Sequence, residues 1–83
     1  MEYIAKIEVS LKPGYSDPEG ETIANSLKEL GYDVDKVNVG KVYQVCLYSE
    51  SQKIAKEKAE EMCLKLLANP IKDNFTILIE EKK

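Results

Sequence analysis

The chain has 83 residues, enough for one small hydrophobic core and not for two. Its net charge is −3, and its 12 cationic side chains are all lysine, with no arginine, histidine or tryptophan. Those absences count against sequence-specific DNA readout, where arginine on guanine is the commonest contact, against a bidentate phosphate clamp, and against histidine-based acid–base or metal chemistry.

The first element is a strand over Tyr3 to Leu11. Tyr3, Ala5, Ile7, Val9 and Leu11 point one way, and Glu2, Lys6, Glu8 and Ser10 the other. Ile4 places an apolar group on the polar face. Lys12 to Gly20 then packs two prolines, two glycines and an aspartate into one connector, more turn chemistry than a plain connection needs. Asp17-Pro18 reads as a helix N-cap followed by N1. Gly20 falls in the first turn, where glycine costs about 1 kcal/mol relative to alanine, which points to another backbone, a partner or a ligand coming close, beside the plainer reading of a turn and a cap. If the backbone is helical there, Gly20→Ala leaves the fold intact or stabilises it.

The helix runs from Pro18 to Leu30, with Ile23, Ala24, Leu27 and Leu30 as its apolar stripe and Gly31 as C′. A second strand is predicted over Val34 to Val39 and a third over Val42 to Tyr48, the latter apolar on both faces. Ser49 and Gln52 have the spacing of a capping box opening a second helix. Its buried stripe is Ala55, Ala59, Met62, Cys63, Leu66 and Leu67, and Asn69-Pro70 ends it. Phe75 to Ile79 is the last strand.

Residues 1–83 thus form a single domain of order β-α-β-β-α-β, the ferredoxin-like α+β arrangement, an antiparallel sheet with both helices on one face. The other face carries Ile4, Val42, Cys46, Tyr48 and Leu78, an apolar patch that marks a self-association surface, a dimer or higher. Cys46 and Cys63 read as small buried hydrophobes that stay reduced. No run spans a membrane and no signal-peptide core is present, so a cytoplasmic chain is expected.

No catalytic constellation and no metal site emerges: no base accompanies a serine or cysteine nucleophile, the cysteines lack CxxC spacing, and Asp33 and Asp35 have no further oxygen ligands at fixed spacing. No cofactor or nucleic-acid partner is expected. The arrangement hosts many functions, and the residues leave two classes open, an interaction subunit of a larger machine and an ACT-type ligand-sensing domain.

From Tyr3 to Ile79 the chain resembles the PurS family, the small subunits of phosphoribosylformylglycinamidine synthase. The resemblance rests on Leu11-Lys12-Pro13-Gly14, Asp17-Pro18-Glu19-Gly20, Leu30-Gly31-Tyr32, Val37 to Lys41, and Met62-Cys63 through Lys65 to Pro70. It departs at Tyr15-Ser16, where the family tends to be more apolar, and at Val42-Tyr43. It implies a non-catalytic bridging subunit of de novo purine synthesis that forms dimers and works with PurL and the glutaminase PurQ. The complex would use glutamine and ATP with magnesium to convert formylglycinamide ribonucleotide to formylglycinamidine ribonucleotide, this subunit supporting ammonia transfer. The partner-docking candidates are Lys12, Gly14, Asp17, Pro18, Gly20, Gly40, Lys41, Asn69 and Pro70.

Overall fold

The computed structural model describes residues 1–83. Strand β1 (Glu2–Leu11) is followed by helix α1 (Pro18–Glu29), strand β2 (Gly40–Tyr48), helix α2 (Gln52–Met62), a π-helical turn (Cys63–Leu67) and strand β3 (Asp73–Glu81). The sheet is antiparallel, three-stranded, in the order β2-β1-β3. The alternation in β1 has the expected consequence: Tyr3, Ala5, Ile7 and Val9 are buried while Lys6, Glu8 and Ser10 are exposed. Beside them the register sets Leu47 against Tyr3, Tyr43 against Ile7, Ile79 against Ala5 and Phe75 against Val9.

Helix α2 lies on this face, mainly over β3 and β1. Its innermost residues, Ala55 and Ala59, and Cys63 just past its end have no exposed surface and share one core cluster with Ala5. Small residues on both sides let helix and sheet approach closely, and bulkier groups such as Ile7 and Phe75 fill the flanks. The helix begins at Ser51, whose hydroxyl accepts the Ile54 N–H at 3.2 Å, two residues later than the expected cap at Ser49. Ser49 still belongs to the sheet end, where its N–H donates to the Met1 carbonyl at 2.9 Å, so it cannot take the capping geometry. Past Met62 the turn widens, the Ala68 N–H donating to the Cys63 carbonyl five residues back at 2.9 Å. This wide turn rotates Leu66, expected in the core, out to 83% exposure and brings Ala68 in.

The α+β, ferredoxin-like class holds, and two details of the arrangement differ from expectation. First, Val34 to Val39 is irregular and not a strand. It runs back along α1 rather than beside β2, and so has no ladder to join. Second, α1 does not lie next to α2 on the sheet. A ten-residue strand spans about 33 Å and a twelve-residue helix about 18 Å, so the 51 Å long axis is that of sheet and helix set end to end. Helix α1 and the 33–39 segment form an arm beyond the sheet's end. The helix is closed as expected by Gly31 (φ +98°): the Tyr32 N–H reaches the Leu27 carbonyl and the Gly31 N–H the Lys28 carbonyl, each at 3.0 Å.

Candidate partner-docking site

Strand β1 ends where Lys12 begins to bond to a different part of the chain. Its N–H donates to the Lys72 carbonyl at 2.7 Å and its Nζ to the Pro70 carbonyl at 3.1 Å. The receiving turn is stiffened by Asn69, whose Oδ1 accepts from the Ile71 and Lys72 N–H groups at 2.9 and 3.3 Å, while its own N–H donates to Asp73 Oδ2 at 2.9 Å. Gly14, at φ +92°, then reverses the loop in a conformation that disfavours any side chain.

Asp17 fixes the arm to the sheet. One carboxylate oxygen accepts the Gly20 N–H at 3.0 Å, as an N-cap should, and the other accepts the Val39 N–H at 2.9 Å. Val39 directly precedes the first residue of β2, so a single side chain joins the start of α1 to the start of β2. The bond from Val39 and then that from Gly20 hold the Asp17 carboxyl below its usual range, against partial burial and with help from the Lys36 charge. Because the native value lies below the unfolded one, the stabilisation is full above the unfolded carboxylate's pKa and is lost as pH falls through the native value. We expect Asp17→Ala to lower the thermal midpoint at pH 7, and the wild-type advantage to shrink on acidification below about pH 4, the unfolded aspartate value. Paired melting curves across that pH range check both statements.

Gly20 is buried for an internal reason. A Cβ there would overlap the Val37 carbonyl oxygen and come within 2.8 Å of Asp17 Oδ2. The close approach expected at this position is therefore made by the chain's own 33–39 segment, and the expectation that alanine would be tolerated is overturned. Pro18 occupies N1 and is exposed, as are Gly40 and Lys41 at the start of β2 and Asn69 and Pro70 on the far turn. Candidates scattered from position 12 to position 70 thus gather at one end of the sheet.

Between the loop, α1 and the 33–39 segment lies a groove of about 770 Å³. Lys12, Lys28 and Lys36 line it together with Asp17, Glu21 and Asp35, three side chains of each charge. Asn25, Lys28 and Lys36 in this lining are not legible from the sequence; solvent-facing polar residues carry no periodic signal, and the Asp17–Val39 bond and the packing of Gly20 on Val37 reveal that their segments meet. No group of three or more His, Cys, Asp or Glu residues is placed to hold a metal ion. No helix is long and apolar enough to cross a membrane.

The free sheet face is the second candidate surface. Tyr48 (74% exposed), Leu78 (54%) and Val42 (62%) stand open, Cys46 is exposed and Ile4 half-buried. Cys46 lies opposite Ile4, with Tyr48 one step along β2 and Leu78 on the diagonal from Ile4. These four form one patch. Val42 is set apart opposite Glu8, beyond the row of Gln44 and Lys6. The reading of Cys46 as a buried hydrophobe is corrected, because α2 covers only the opposite face; Cys63 is buried as expected, both thiols are free, and burial pushes the Cys63 thiol up.

Residues 4–81 match the family described as PurS, phosphoribosylformylglycinamidine (FGAM) synthase. The phosphoribosylformylglycinamidine synthase subunit PurS of Methanocaldococcus jannaschii is 39% identical over 80 residues, covering 95% of this chain and 96% of that protein. Among solved structures, Thermus thermophilus PurS superposes with a TM-score of 0.89 at 36% identity, covering all of both chains. A chain in the structure of PurLQS from Thermotoga maritima superposes with a TM-score of 0.88 at 28% identity, covering 96% of this chain and 99% of that one.

Proposed function

The chain belongs to the PurS family, and we infer from that membership that it is the accessory subunit of phosphoribosylformylglycinamidine synthase, working with PurL and PurQ in purine biosynthesis. The match over residues 4–81 is the observation that carries this reading, and it decides for the interaction subunit over the ligand-sensing domain. In this reading the chain supplies docking surfaces and no reacting group. PurL and PurQ bring the ATP, magnesium and glutamine chemistry, this subunit bridges them in the cytoplasm and supports ammonia transfer, and it binds no cofactor of its own.

The gathering of Lys12, Asp17, Gly40 and Pro70 at one end of the sheet supports docking there. Co-purification tests it. The tagged chain is expected to retain PurL and PurQ in the presence of glutamine and nucleotide, and Lys41→Glu, which changes an exposed side chain bonded to nothing else in the chain, to weaken retention without changing the melting point. Wild-type chain that retains neither subunit would count against the reading.

Self-association through the free sheet face is part of the same proposal. Tyr48 is 74% exposed, so Tyr48→Lys leaves the monomer's core untouched and is expected to reduce the mass seen by light scattering. Thiol labelling gives an independent readout. In the associated wild type Cys46 should label slowly, in Tyr48→Lys quickly, and Cys63 slowly in both. Rapid labelling of Cys46 in a wild-type oligomer would place the interface elsewhere.

A further inference from the structure

The turn that receives Lys12 is held more firmly than a connector needs. Asn69 Oδ1 accepts from the Ile71 and Lys72 N–H groups, and the Asn69 carbonyl accepts from the Lys72 and Asp73 N–H groups at 3.2 and 2.8 Å. The Asn69 N–H donates to Asp73 Oδ2, and Lys12 donates to the Pro70 carbonyl through its Nζ and to the Lys72 carbonyl through its N–H. Every residue from Asn69 to Asp73 is therefore bonded through its backbone. A segment tied in this way has little conformational freedom left to lose.

The side chains of Asn69, Pro70 and Asp73 build the turn. Asn69 and Asp73 supply acceptors, and the Pro70 ring fixes φ. Ile71 contributes nothing of the kind. It is 72% exposed, lies outside the core cluster, and is a branched apolar residue where turns usually carry Gly, Asn, Asp or Ser. A single exposed apolar side chain is common on a protein surface. One displayed on a rigid turn is a ready anchor, because binding then needs little ordering of the loop that carries it.

The charges around Ile71 favour one sign. Lys72 is exposed beside it, and the Lys12 ammonium sits on the carbonyl of the residue before it. The one carboxylate of the turn, Asp73, has Oδ2 engaged by the Asn69 N–H. The matching surface is an apolar pocket with carboxylates on its rim. We propose that Ile71 anchors this end of the sheet in such a pocket on a partner subunit of the synthase, with Lys72 toward the rim. The turn is continuous with the docking end already described, since Asp73 pairs with Leu11 and Gly40 with the adjacent Ser10. The inference rests on the reading that the chain docks PurL and PurQ, and adds the side chain that becomes buried there.

Binding of PurL and of PurQ to the immobilised chain, with glutamine and ATP present, tests it. Ile71→Ser is expected to weaken the affinity for one of them more than about tenfold, as loss of a central anchor does, with the melting point unchanged because the core does not include Ile71. Ile71→Val should bind more tightly than Ile71→Ser, since it keeps most of the apolar contact. Lys72→Glu should slow association at low salt, and an unchanged rate would overturn the acidic rim. Wild-type affinity of Ile71→Ser for both subunits would overturn the anchor and leave the docking reading standing, whereas a wild-type chain that binds neither subunit would overturn both. Light scattering on the chain alone covers the other occupant. A lower mass for Ile71→Ser would place this side chain between copies of the chain and overturn its assignment to a partner subunit.

Discussion

Gly20→Ala is expected to destabilise the arm, although alanine is the better helix former. The intrinsic gain is about 1 kcal/mol. Against it stands a Cβ placed on the Val37 carbonyl oxygen and within 2.8 Å of Asp17 Oδ2. Backbone cannot rotate away as a side chain can, and overpacking of this kind costs about 1–3 kcal/mol. The steric cost exceeds the gain in helix propensity, and either relief route, moving residues 37–39 or displacing Asp17, breaks the bond between Asp17 and Val39. Hydrogen exchange should show amides of α1 and of 37–39 losing protection while those of β1 and β3 keep theirs, because the sheet core makes little contact with the arm. Unchanged protection at Val39 would mean that the segment absorbs a methyl group at no cost.

Ile7→Ala should produce the largest loss of global stability. Ile7 is fully buried on the central strand, paired with Tyr43 on one side and Ile77 on the other. Removing its outer carbons leaves a cavity worth about 2–5 kcal/mol. A chain of 83 residues has about 4–12 kcal/mol in total, so the variant should be near the edge of folding. Urea denaturation is expected to show a much lower midpoint with an unchanged slope. Leu66→Ala is the contrast: although the sequence places Leu66 on the helical stripe, the isolated monomer should lose no more than about 0.5 kcal/mol, because that side chain is 83% exposed.

Local features were legible in the sequence because their causes are local. Asp17 caps α1 and Gly31 closes it through bonds to residues a few positions away, and Pro18 begins it because its ring nitrogen has no N–H to satisfy. The alternation Tyr3-Ala5-Ile7-Val9 orients the central strand because the side-chain period along a strand is two. What the sequence hid depends on contacts between distant segments. A run such as Val34 to Val39 has strand composition, yet it needs a neighbouring strand to make a ladder, and Asp17 and Gly20 hold it against α1 instead. The stripe on α1 correctly identified an apolar face, but periodicity does not say which surface that face meets. Leu66 left the core because one wide turn broke the helical period on which its placement relied.

Of the docking candidates, Lys12 and Pro70 could not have been linked from sequence, being 58 positions apart, and neither could Asp17 and Val39. Gly20 was recognised as a place of close approach, and only the structure shows that the approaching group is Val37. The free sheet face was legible from the mixed pattern of Val42 to Tyr48; the separation of Val42 from the patch of Ile4, Cys46, Tyr48 and Leu78 required the register.

Whether the chain is an obligatory bridging subunit is tested by reconstituting the synthase from PurL and PurQ with and without it, following formylglycinamidine ribonucleotide with glutamine as the nitrogen donor. Product formation is expected to depend on adding the chain. Tyr48→Lys and Lys41→Glu should support it poorly while remaining folded, and the chain alone should turn over neither glutamine nor ATP. Full glutamine-dependent synthesis in its absence would refute the bridging role.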